Sequence, residues 1–106
     1  MPERSGPIWF DGRWRRLRWD ERKRRTNLAK HGIDFAALAH TFATPYIIEF
    51  DEEHSQDEDR WRLVGLLRQD VIVVIMRIDP DAIRLISARH ADDAEAQSFF
   101  KQCFGS

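Results

Sequence analysis

Cysteine is nearly absent: Cys103 stands alone among 106 residues and has no partner in the chain. An intrachain disulfide is therefore excluded, and a lone thiol fits a reducing compartment. Long apolar runs are missing too. Val71 to Met76 is the longest, far below the roughly 20 residues that a membrane helix needs. No signal-peptide pattern opens the chain, so the expectation is a soluble, cytoplasmic protein with no membrane contact. The five glycines never cluster, which removes a phosphate-cradling loop, a dinucleotide fingerprint and a nucleophile elbow. His31, His40, His54 and His90 are scattered, without the close pairs that metal sites use. The acidic run over 51–59, DEEHSQDED, lacks the glycine of a calcium loop. It reads as a solvated hairpin loop. No metal and no cofactor are expected. A metal-dependent nuclease using Asp51, Glu53 and His54 is kept as a third reading.

What is present begins with a division of charge. The formal net charge is −1, yet residues 1–31 hold ten Lys/Arg against four Asp/Glu, and 32–106 hold seven against fourteen. A near-neutral total does not exclude nucleic acid, because affinity follows local charge and counterion release. The length suits one domain over 14–106, preceded by an irregular extension over 1–13 that contains Pro2, Gly6, Pro7 and Gly12.

The segment Trp14 to Trp19 alternates imperfectly and is expected to be a short strand. Its Arg13, Arg15, Arg16 and Arg18 alternate with tryptophans, a pattern shared by RNA-binding arms and by charge-guarded edge strands. A helix is predicted from Asp20, its cap, to Gly32, which ends it in the left-handed conformation. Asp20, Lys23, Asn27, Lys30 and His31 fall on one polar face, suited to phosphate or simply solvated. Asp34 caps a second predicted helix with the stripe Phe35, Leu38, Ala39 and Phe42, ended by Thr44-Pro45. Four strands are predicted next, over 46–50, 60–67, 71–78 and 83–88, as an antiparallel meander with 71–78 at its centre. A short helix over 91–104 closes the chain. The predicted fold is α+β: two N-terminal helices on an antiparallel sheet of four or more strands.

The run W-D-E-x-K-x-x-x-N-L-x-K-H-G-I-x-F over 19–35 resembles the BrnT family of ribonuclease toxins from type II toxin–antitoxin systems. Three later pieces share the resemblance: Asp51-x-x-His54-Ser55, Asp59-Arg60-Trp61, and Arg84-Leu85-Ile86-Ser87-Ala88-Arg89-x-Ala91. The resemblance implies a RelE-like fold, a metal-independent endoribonuclease that blocks translation, and a catalytic set carried to Lys23, His31, Arg60, Arg84 and Arg89. It also implies a BrnA-like ribbon-helix-helix antitoxin, which neutralises the toxin and carries the complex to promoter DNA. Arg15, Arg16, Arg18, Arg62 and His90 are the expected RNA-binding residues. His90 stands where the family usually has Lys or Arg, and the helix that follows is acidic at its start, where the family is often basic. The alternative reading is a weak or inactive homologue that acts as a binding module or co-repressor beside a DNA-binding antitoxin.

Overall fold

In the computed structural model, which describes residues 6–105, the chain order is strand, strand, helix, helix, four strands, helix. The elements are β1 (Ile8–Phe10), β2 (Arg13–Arg18), α1 (Glu21–His31), a 3-10 helix (Phe35–Ala43) and β3 (Ile47–Phe50). A 3-10 turn (Glu52–His54), β4 (Trp61–Leu67), β5 (Asp70–Ile78), β6 (Ala82–His90) and α2 (Asp93–Phe104) complete it. The six strands form one sheet in the order β1-β2-β6-β5-β4-β3.

The α+β class holds, and the predicted arrangement needs three corrections. The sheet is mixed, because β2 runs parallel to β6. The extension is not irregular throughout: β1 pairs antiparallel with β2 across Asp11-Gly12, both at positive φ, as a tight hairpin turn demands. Residues 1–5 of that extension lie outside the described residues. Finally, the helices are not two N-terminal α-helices and a minor C-terminal one. Two strands precede α1, the second helix is a 3-10 helix, and α2, the longest helix, seals the opposite face of the sheet.

The α1 ends behave as read: the Asp20 carboxylate accepts from the N–H groups of Arg22 and Lys23, and Gly32 caps at φ 74. The second helix winds tighter because its buried residues include Phe35, Leu38 and Thr41, a three-residue spacing that 3.0 residues per turn aligns on one side. That side meets Phe10, Leu17, Leu63, Ile72, Val74, Met76, Ile83 and Leu85 in the main core. On the other face Phe99 of α2 packs fully buried on Val64, Val71 and Val73. Truncating Phe99 to alanine should cost about 3–5 kcal/mol. β5, with a neighbour on each side and apolar residues toward both layers, is the interior strand predicted.

One irregularity shapes the outer face. Ile75 pairs with Ser87 and Met76 with Leu85, so Ile86 of β6 is an unpaired bulge residue. Arg84 and Arg89 are five positions apart and would face opposite sides of a regular strand. The extra residue returns both to the face that carries Arg77 and Val73. That face is sealed by α2 at one end and open at the other.

Candidate active site

α1 runs beside the part of β6 that β2 leaves unpaired, since the β2 register on β6 ends at Arg84. Asn27 fixes the contact. Its amide donates to Ala88 O at 2.9 Å and Ile33 O at 3.0 Å, and its oxygen accepts from Ala88 N at 3.0 Å. One buried side chain thus replaces a strand neighbour for Ala88. Asn27, read as part of a polar face that is phosphate-binding or solvated, is instead buried and structural, because every partner is backbone. Removing it would strand buried polar groups, each costing about 1–3 kcal/mol.

With α1 held there, Lys23, Asp20, Arg84 and Glu58 line one depression, floored by Leu85 and Ile86. Arg84 also borders a second depression with Arg18 and Arg77. Lys23 and Ile86 continue into a third, lined by Lys30, His31 and Ser87. The first shares Arg84 with the second and Lys23 and Ile86 with the third, so the three adjoin in a row that continues from the β2–β6 junction into the α1–β6 groove. Of the expected catalytic set, Lys23, His31 and Arg84 border this groove directly, and Arg60 stands behind it.

Glu58 organises the centre. Its carboxylate accepts from Arg77 at 2.8 Å and lies 3.7 Å from Arg60. The Arg77 hydrogen bond, with the charges of Arg77, Arg60 and Arg84, lowers its pKa below the usual carboxylate range. Glu58 is therefore a fixed anion at neutral pH that aligns arginines. Arg77, unforeseen from sequence, reaches Asp79 at 3.0 Å as well. The Nε groups of Arg60 and Arg77 are buried without a hydrogen-bond partner among the described residues. The Arg84 side chain is exposed and makes no hydrogen bond or ion pair among the described residues, acting on Glu58 only through space. A guanidinium so placed can take a phosphate with both prongs.

Other expected residues are placed elsewhere. Arg89 donates to both oxygens of Glu95, at 2.8 and 2.9 Å. Glu95 also closes the capping box of α2 on Asp92. The Arg89 hydrogen bonds pull the Glu95 pKa down to about 2, with help from the Asp92 backbone. The acidic start of α2 thus neutralises Arg89 and removes it from the groove. Arg15, expected on RNA, is buried: Nε donates to Asp79 O at 2.8 Å, Nη1 donates to Phe10 O, and the guanidinium lies over the Phe10 ring. Arg62 is held by Glu49 beside α2. His90 is exposed at the end of β6, opposite Ile72. Arg16 and Arg18 are exposed on the outer face of β2.

The acidic loop matches its turn reading. His54 Nδ1 and Asp51 Oδ2 are 2.8 Å apart, Ser55 Oγ donates to Asp51 O, and the same hydroxyl accepts from Arg60 N at 2.9 Å. This network sets the entry to β4 and so places Arg60. Asp51, Glu53 and His54 lie close enough to share a cation, but Asp51 Oδ2 is already engaged by His54.

Among the described residues no helix is long and apolar enough to cross a membrane. The family described as the ribonuclease toxin BrnT of type II toxin–antitoxin systems matches residues 19–95. No curated protein matches the chain. The matched span covers most of the sequence, and the chain belongs to the BrnT family of ribonuclease toxins.

Proposed function

We propose that this BrnT-family chain is a cytoplasmic, metal-independent endoribonuclease that cuts RNA in the groove between α1 and β6 and thereby blocks translation. The observation that carries this reading is the meeting of Arg84 and Lys23, from a strand and a helix, around a depression backed by the Glu58-aligned Arg60 and Arg77. Cleavage without a metal needs charge stabilisation at phosphorus and two proton transfers. The 2′-oxygen attacks the adjacent phosphorus, the bond from phosphorus to the 5′-oxygen breaks, and a 2′,3′-cyclic phosphate and a 5′-hydroxyl result. Arg84 and Lys23 hold the charge that gathers on the phosphoryl oxygens. His31, farther along the groove, accepts the 2′-hydroxyl proton, a task suited to imidazole, and water in the open groove gives a proton to the departing 5′-oxygen. Glu58, held ionised by its arginines, is a weak base and serves as a clamp. Arg16 and Arg18 bind flanking phosphates.

The partner is a BrnA-like ribbon-helix-helix antitoxin that covers the groove and carries the complex to promoter DNA. Family membership supports the existence of an antitoxin, and the open cationic groove supports where it blocks. The neutralised Arg89 favours a second reading, a weak or inactive homologue working as a co-repressor beside the antitoxin. Incubating the purified chain with RNA separates the two. The expected result is fragments ending in 2′,3′-cyclic phosphate, with a rate that falls by about 100-fold or more in His31→Ala. Intact RNA after long incubation with folded parent protein would leave the co-repressor reading.

A further inference from the structure

Trp9 and Trp14 sit before residue 19, outside the family-matched span, and neither is used by the chemistry above. They are 56 % and 62 % exposed, while Trp19 is buried at 4 %. They stand opposite each other in the β1–β2 register and meet edge to face, with centroids 5.4 Å apart and planes at 77°. On β2 the alternation is strict: Arg15 and Leu17 point to the core, and Trp14, Arg16 and Arg18 point outward. Arg18 pairs with Arg84 across the parallel junction. One continuous outer face therefore runs from an indole pair through two arginines to the proposed catalytic arginine. Successive same-face positions are about 6.7 Å apart, so aromatic and cationic groups recur at short, regular steps.

We propose that Trp9 and Trp14 form a base-stacking subsite for single-stranded RNA flanking the cut phosphate, with Arg16 and Arg18 leading the backbone to Arg84. This rests on the ribonuclease reading. Charge favours nucleic acid as the occupant. The face joins exposed indoles to arginines, the combination that binds unstacked bases and phosphates together on sheets. A purely apolar protein contact would not place guanidinium groups at alternate positions beside the rings. Duplex RNA offers no open base faces and is disfavoured by the same geometry.

The test uses the full chain and a 2′-O-methyl single-stranded oligonucleotide, which cannot form the 2′-oxygen nucleophile and so reports binding alone. Binding to the parent should quench tryptophan fluorescence, and a matched duplex should bind more weakly. The double variant Trp9→Ala, Trp14→Ala should lose about 5- to 100-fold in affinity with an unchanged salt slope, because stacking releases no counterions. Trp9→Phe, Trp14→Phe keeps a stacking ring, should retain most of the affinity, and should lose the quench; it also serves if the alanine variant fails to fold. Parent-like affinity in the alanine variant overturns the subsite. The same holds if that variant loses only antitoxin binding, which assigns the pair to a protein partner. If the parent neither binds nor cuts RNA, the ribonuclease reading itself falls. If the parent cuts while the tryptophan variants bind and cut equally well, only the subsite falls.

Discussion

Arg84 and Arg89 stand on one strand and, through the bulge at Ile86, on one face of the sheet, yet their surroundings are opposite. Arg89 lies under the start of α2, bidentate to Glu95. Arg84 lies where α2 does not reach, beside α1, with no ion pair among the described residues. The same side chain is thus a structural clamp at one end of β6 and an exposed guanidinium at the other. What covers the face decides which. A motif that contains both arginines does not separate these roles.

The largest expected effect breaks the comparison directly. Arg84→Ala should lower RNA cleavage by roughly 100-fold, the cost of losing one preorganised donor, with little change in melting temperature, because the exposed side chain makes no hydrogen bond among the described residues. Arg89→Ala should do the reverse: cleavage stays near the parent rate while stability drops by about 1–2 kcal/mol as Glu95 loses its partner. Rate and thermal midpoint, measured on both variants, decide. Equal losses of cleavage in both would mean that Arg89 leaves Glu95 when RNA binds. Lysine at position 84 should restore little, since it keeps the charge without the fork.

The next effect sharpens the clamp end. Glu95 has a folded pKa of about 2, below its ordinary 4.5. A depressed folded value contributes stability above the unfolded pKa and loses it as pH falls through the folded one. Glu95→Gln should therefore destabilise the chain by about 2 kcal/mol at pH 7, once solvent screening is allowed for. That difference from the parent should shrink from about pH 4.5 downward and close near pH 2. A pH-independent difference would assign the loss to the α2 capping box rather than to the ion pair.

The contrast between the two arginines also marks what the sequence made legible. Helix α1 with both caps, the four later strands and the interior place of Val71–Ile78 follow from local patterns of capping and alternation. Lys23, His31 and Arg84 were grouped only through the family resemblance, and the fold sets them along adjoining depressions. The parallel β2–β6 pair was not legible, because no local pattern reports which distant strands meet. β1 was missed although Asp11-Gly12 between apolar and alternating residues is a hairpin signal. Ile86 as a bulge, which decides where Arg89 points, depends on pairing with β5 and leaves no mark in the sequence. The pairing of Glu58 with Arg77 and Arg60 was not legible, because each looks like an ordinary surface charge until the fold brings them together. Arg15 was misread because an arginine in a basic run looks solvated. Only strand parity and the carbonyls of Phe10 and Asp79 explain its burial.

The smallest expected effect is none, and it concerns the third reading of the acidic loop. A divalent ion would have to compete with His54 for Asp51 Oδ2, on a loop whose remaining bonds set the start of β4. At the open end of the face, positive charge is already supplied by Arg84 and Lys23, with Arg60 and Arg77 behind them. On the proposed mechanism these supply the charge stabilisation that a metal would otherwise provide. Chelator should therefore leave the cleavage rate unchanged, and Asp51→Asn should act on folding rather than on chemistry. Cleavage abolished by chelator and restored by added magnesium would move the reaction to Asp51, Glu53 and His54. Arg84 would then be a binding residue, and Arg84→Ala should raise KM while sparing kcat. Measuring both constants with and without chelator tests the two ends of the face in one experiment.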